Sequence, residues 1–164
     1  MSKAVLISIR PEWCQKIMAG RKTIEVRKTR PKMDTPFKCY IYRSVQGGVI
    51  GEFVCDDIFE RIVRVGAICE PPKYCICDWN MDCTPLDTLL ADACLTKDEL
   101  EKYLDGGVGY GWHISNLRIY DTPRELREFY AVPNEVEVAL KAKPKPITRP
   151  PQSWRYVEEE TWSD

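Results

Sequence analysis

Gly20-Arg21-Lys22-Thr23-Ile24-Glu25-Val26-Arg27 decides how the first part of this chain is read. The stretch sets an ammonium, a carboxylate and a guanidinium within six residues. Upstream, Lys3 to Arg10 reads as a strand, with Val5, Ile7 and Ile9 alternating with Leu6, Ser8 and Arg10. Pro11 suits the first turn of a helix, where its missing N–H is not needed. Trp13, Ile17 and Met18 recur at helical spacing, and Gly20 supplies the left-handed residue that ends the helix. Downstream, a second strand carries Thr23, Glu25 and Arg27 on one face and Ile24 and Val26 on the other. Ile24 and Val26 belong to an apolar face, so Glu25 and Arg27 lie on the opposite one, about 7 Å apart along the strand. Such a pair can hold one polar ligand. It can equally form an ordinary ion pair on a solvated face, where it adds little stability. Lys22, at the strand's start, has a stem long enough to reach around the helix end.

The 164 residues, 44% apolar, are enough for one sizeable core, so a single domain over 1–164 is expected. No run of 18 apolar residues occurs, so no membrane partner is expected. The N-terminus is a charged, alternating strand without the apolar region of a signal peptide, and a cytoplasmic location is the expectation. A net charge of −1 argues against non-specific nucleic-acid binding. The distribution is uneven, however: residues 1–50 carry eleven Lys/Arg against three Asp/Glu, and residues 51–139 carry eight against eighteen. A basic surface near the motif would attract phosphates in a salt-dependent way.

Eight cysteines stand at positions 14, 39, 55, 69, 75, 77, 83 and 94. Without a signal peptide, reduced thiols are expected rather than a disulfide framework. Cys39 and Cys55 fall in strand-like runs and read as small buried hydrophobes. Cys69, Cys75, Cys77 and Cys83 lack the paired CxxC knuckles of structural zinc, so a loop of free thiols is expected, with no metal and no cofactor.

Elsewhere, Phe37 to Ser44 and Val49 to Glu60 read as strands joined at Gln46-Gly47-Gly48, with Gly51 marking a bulge or a close backbone approach. Residues 66–84 read as an irregular, cysteine-rich loop. Helices are expected from Thr84-Pro85 to about Ala93 and from Thr96 to about Leu104, forming with that loop an insertion around 66–107. Tyr110 to Tyr120 reads as a strand in which Trp112, Ile114 and Leu117 are core. His113 reads as a strand histidine satisfied by a hydrogen bond, with acid–base work or base stacking as the alternative. Thr122-Pro123 is expected to start a short helix. The segment 141–164 is expected to be extended and Lys/Pro-rich, with 152–156 packing back onto the sheet.

Ser8-Ile9-Arg10-Pro11-Glu12-Trp13, the helix, and then Gly20-x-Lys22-x-x-Glu25-x-Arg27 resemble the ASCH domain family, whose GxKxxExR hallmark is matched at every fixed position. Gly111 to Leu117 resembles the aromatic strand late in such domains, and Pro151-Gln152-Ser153-Trp154 their closing segment. The similarity is dense over residues 3–60 and 108–125. It implies an α+β, PUA-like fold: a small, twisted, partly open β-barrel with flanking helices, here carrying a helical insertion. It also implies a cleft beside the motif strand that takes RNA or a nucleotide-like small molecule, with Lys22, Glu25 and Arg27 as ligand contacts. Arg10 is a further candidate contact, and Trp13 and Tyr42 are candidate stacking groups.

Some small ASCH proteins are amidohydrolases acting on N-acylated cytidine nucleosides, which use the motif lysine, a threonine three residues on and a later glutamate. Here Lys22 matches, but Glu25 stands where the hydroxyl residue would be, so Lys22 and Glu25 would have to form the catalytic pair. A protein-interaction adaptor working through the acidic insertion is the third functional class.

Overall fold

The computed structural model describes residues 2–65, 73–77, 83–84 and 86–161. In chain order its elements begin with β1 (Lys3–Ile9), α1 (Pro11–Met18), β2 (Ile24–Arg27), β3 (Phe37–Arg43) and β4 (Val49–Val65). They continue with β5 (Lys73–Cys77), β6 (Cys83–Thr84), α2 (Asp87–Ala93), α3 (Lys97–Leu104), β7 (Gly109–Arg124), α4 (Glu135–Ala139) and β8 (Trp154–Glu158). Strands follow one another in the order β2-β7-β4-β3-β1-β8, with β5 and β6 extending from β4. The chain divides into two compact units: Met1–Cys14, Pro36–Val54 and Asn116–Asp164 form the first, and Gln15–Thr35 and Cys55–Ser115 the second. β4 and β7 contribute residues to both.

In the first unit, Ala4-Val5-Leu6-Ile7 is an unbroken apolar run and becomes a strand buried on both faces, as expected when a strand has neighbours on either side. β1 pairs parallel with β3, Val5 opposite Cys39 and Ile7 opposite Ile41. On its other side it pairs antiparallel with β8, Ile7 opposite Trp154. The closing segment thus packs back as the sequence suggests. Ala4, Leu6, Tyr40, Val49, Phe129, Ile147 and Val157 form the core, with the Tyr40 and Phe129 rings 4.9 Å apart. Gly51 is explained by a close backbone approach: a Cβ there would lie 2.5 Å from the Arg118 carbonyl oxygen.

β7 continues to Arg124, beyond the expected end at Tyr120, and the helical turn after it is a short 3-10 segment, Leu126–Glu128. α4 was not anticipated, although Asn134 caps it by accepting the Glu137 N–H at 2.9 Å.

In the second unit, α1 ends in a Schellman turn. Gly20 (φ 73°) donates its N–H to the Ile17 carbonyl and Arg21 donates to that of Lys16. β2 follows and pairs antiparallel with β7, from Ile24 opposite His113 to Arg27 opposite Tyr110. Ile24 and Val26 enter an apolar core with Ile62, Leu86, Leu89, Ala93, Leu100 and Leu104. Each fully buried leucine contributes about 1.5–3 kcal/mol, so α2 and α3 are held chiefly by this face. Thr96 accepts the Glu99 N–H at 3.1 Å and starts α3 where its sequence pattern places it.

The cysteine-rich stretch is not wholly irregular: β4 extends to Val65 and pairs with β5, which pairs with β6. Tyr74 and Ile76 alternate with cysteines there, and the β-branched run Ile62-Val63 favours the extended β4. Cys69 lies outside the described residues.

Candidate ligand-binding site

The Schellman turn delivers Arg21, Lys22 and Thr23 to the C-terminal end of α2, where the last carbonyls have no intrahelical partners. Thr23 donates its N–H to the Asp92 carbonyl at 2.8 Å, and the Lys22 ammonium donates to the Ala93 carbonyl at 2.5 Å. A cation at this end also complements the helix dipole. The same ammonium stands 3.3 Å from Glu25 Oε2. The other carboxylate oxygen, Glu25 Oε1, accepts from Arg27 Nε at 2.9 Å and lies 2.8 Å from Nη2. Glu25 therefore bridges the two cations of the motif.

The three side chains are only 2%, 8% and 10% exposed, in the order Lys22, Glu25, Arg27. The solvated-face reading of the motif is corrected by that burial. Alternation holds: Ile24 and Val26 face the apolar core, and Glu25 and Arg27 lie on the other face with Trp112 and Tyr110, their partners on β7. Both faces of β2 are buried, a property that alternation alone does not reveal.

Beyond Arg27 the chain forms a cavity of about 600 Å³, lined by Lys28 to Asp34 and by Tyr110. Three cations, Lys28, Arg30 and Lys32, face one carboxylate, Asp34, along this lining. Arg30 shapes the loop, donating to the carbonyls of Pro31 at 3.3 Å and Met33 at 3.2 Å. Tyr103, on α3, borders the same segment: the Lys28 ammonium lies 5.1 Å from its ring centroid, and its hydroxyl hydrogen-bonds the Lys28 backbone. Burial pushes the Tyr103 hydroxyl's pKa up, with Arg27 opposing and Glu25 reinforcing that shift. Tyr103 remains 40% exposed.

The ASCH domain model matches residues 7–106. The chain belongs to the ASCH domain family. Solved structures agree at the level of fold. ASCH from Zymomonas mobilis superimposes with a TM-score of 0.60 at 18% identity, covering 95% of this chain and 88% of that one. A tyrosine-to-phenylalanine mutant of the same protein gives 0.60 and 18%, over 96% and 92% of the two chains. A serine-to-alanine mutant gives 0.60 and 17%, over 95% and 89%. No curated protein matches the sequence. The ASCH chain described here is α+β with the PUA-like fold that its motif implies, and among its described residues no helix is long and apolar enough to cross a membrane.

Within this ASCH domain the structure brings together Lys22, Glu25 and Arg27. Arg10 is exposed between β1 and α1, in the first unit. Trp13 and Tyr42 are half-buried residues of the first unit, and Tyr42 packs on that unit's core. His113 is a satisfied strand histidine: its Nδ1 lies 2.6 Å from Asp56 Oδ1. That hydrogen bond is the main reason the Asp56 carboxyl is held below its usual range. Sequence reading missed Tyr103 and the Lys28-to-Asp34 cavity. The signals were available: Lys28, Arg30 and Lys32 alternate directly after the hallmark, and Tyr103 sits between the core positions Leu100 and Leu104 of α3.

Proposed function

We propose that this ASCH domain binds RNA, or a nucleotide-like ligand, at the basic cavity that follows its motif strand. The observation that carries the reading is the convergence of Lys28, Arg30 and Lys32 on one cavity beside a partly exposed tyrosine. Cations take phosphates and a partly exposed aromatic ring stacks on a base, the combination used for single-stranded nucleic acid. In this reading Lys22, Glu25 and Arg27 form the buried brace that fixes the exit of β2 and so the start of the basic loop.

The amidohydrolase reading gains no support from the network. The Lys22 amine donates to the Ala93 carbonyl and faces Glu25, and no hydroxyl stands at the third position after it.

Fluorescence anisotropy with a labelled single-stranded RNA tests the proposal. Three phosphate contacts give a slope of log affinity against log salt of about −2, and one remaining contact gives about −0.7. Lys28→Ala with Lys32→Ala is therefore expected to weaken binding and flatten the salt dependence by about two-thirds. Affinity and slope both unchanged in that double variant would place the ligand elsewhere, and absence of any binding would favour the adaptor class.

A further inference from the structure

Both oxygens of the motif carboxylate are committed: Glu25 Oε2 stands 3.3 Å from the Lys22 ammonium, and Oε1 accepts from Arg27 Nε at 2.9 Å. The carboxylate that lines the cavity of about 600 Å³ after β2 is Asp34, an exposed residue. Among the described residues no hydrogen bond or ion pair engages it, although Lys28, Arg30 and Lys32 share the lining. Arg30 donates instead to the carbonyls of Pro31 at 3.3 Å and Met33 at 3.2 Å. The Met33 carbonyl belongs to the peptide that leads into Asp34, so Arg30 holds the backbone from which that side chain enters the lining. A negative charge among three cations repels phosphate, and a cavity built for phosphates alone would do better with a neutral residue there.

On the RNA-binding reading of this cavity, we propose that Asp34 makes it selective for guanine in single-stranded RNA. A carboxylate only accepts hydrogen bonds, and its two oxygens match two donors set side by side. Guanine alone among the four bases presents that pattern on its Watson–Crick edge, with N1–H beside the N2 amine. Adenine and cytosine set one amine donor beside a ring-nitrogen acceptor there, and uracil sets one N–H between two carbonyls. Those acceptors meet the carboxylate oxygens without a proton to share. Unpaired bases expose this edge, and proteins read single-stranded RNA through it. Tyr110 lines the same cavity and Tyr103 borders it, so a ring that stacks a base and the carboxylate that reads its edge stand in one place. Lys28, Arg30 and Lys32 take the flanking phosphates.

The test measures fluorescence anisotropy of the full chain with short labelled oligouridine RNAs carrying one central guanosine, inosine, adenosine or cytidine. The guanosine RNA is expected to bind about tenfold more tightly than the adenosine, cytidine and all-uridine RNAs, within the range of one bidentate base contact. Inosine keeps N1–H and lacks the N2 amine, so its RNA should fall between them. Asp34→Asn replaces one acceptor with an amide donor and should erase the guanosine preference. RNA without guanosine should bind that variant at least as tightly as the unmutated protein, with the same salt slope, which also shows that the variant is folded. A rise in affinity for every RNA with the ranking unchanged would reduce Asp34 to a repelling charge and overturn the proposal. Equal binding of all the RNAs by the unmutated protein, still weakened by Lys28→Ala with Lys32→Ala, would overturn guanine selectivity and leave the cavity reading standing. No saturable binding of any of the RNAs would overturn both.

Discussion

Replacing Glu25 with Gln removes the carboxylate shared by Lys22 and Arg27 while keeping the side chain's shape. Two cations, 2% and 10% exposed, would then stand beside an amide that neutralises neither. Removing one partner of a buried charge pair costs about 3–5 kcal/mol, because the remaining charge stays desolvated without compensation. For a chain of this size such a loss lowers the melting temperature by about 6–20 °C. Lys22→Met should cost less, since the bonds from Arg27 to Glu25 survive, while the charge-assisted hydrogen bond to Ala93 and the contact with Glu25 are lost. A hydrogen bond of that kind contributes about 1.5–3 kcal/mol. Arg127→Ala is the control: Arg127 is 77% exposed in its pair with Glu125, and its removal should change stability by no more than about 0.5 kcal/mol. Urea unfolding at neutral pH, with the slope shared among variants, gives the three values directly. The expected order is Glu25→Gln, then Lys22→Met, then Arg127→Ala, and added salt should leave the first value nearly unchanged because buried pairs are little screened. A Glu25→Gln loss below about 1 kcal/mol would refute the buried-network reasoning. A Lys22→Met loss exceeding that of Glu25→Gln would refute the bridging role given to Glu25.

Alkaline pH should destabilise the fold. Burial pushes the Cys55 thiol up to about 12 and raises the Tyr40 hydroxyl, while burial and the Glu52 carboxylate that accepts its hydrogen bond raise Tyr120. The unfolded chain ionises at these groups from about pH 8.5–10 while the folded one keeps its protons, so the urea midpoint should fall as pH rises through that range; an unchanged midpoint would contradict it. At acid pH the sign reverses for Asp56, whose carboxyl is held low by His113: its contribution is present above about pH 3.9 and is lost as pH falls through the folded value. His113→Phe should therefore move the Asp56 titration, followed by NMR, up toward the ordinary range, and no movement would remove His113 as the cause. Gly51→Ala places a methyl 2.5 Å from a backbone oxygen that a strand pairing holds in place, and should cost about 1–3 kcal/mol in the same urea assay. Full stability in that variant would mean that the Arg118 backbone yields easily.

The strand–helix–strand opening was legible because its signals are local. Pro11 begins α1, Gly20 ends it in a left-handed turn, and Ile24 and Val26 alternate with Glu25 and Arg27. The same locality explains what was hidden. Burial of the motif's charges depends on Asp92 and Ala93 at the end of α2, some seventy residues away, and no spacing within the hallmark encodes that. The β5–β6 pairing was masked because cysteines, read as loop thiols, interrupt the alternation that Tyr74 and Ile76 would otherwise display. Tyr103 escaped for the opposite reason. Its helix was recognised, but an exposed tyrosine on a helix carries no functional signal until Lys28 is seen lying over its ring.

Photo-crosslinking a short single-stranded RNA to the unmodified protein, with the linked peptides mapped by mass spectrometry, tests the proposed site most directly. The cavity after the motif strand predicts crosslinks at Tyr103, at Tyr110 and within residues 28–34, weakening as salt is raised. Crosslinks gathered instead on the Lys/Pro-rich segment 141–151, with residues 28–34 and Tyr103 untouched, would contradict it.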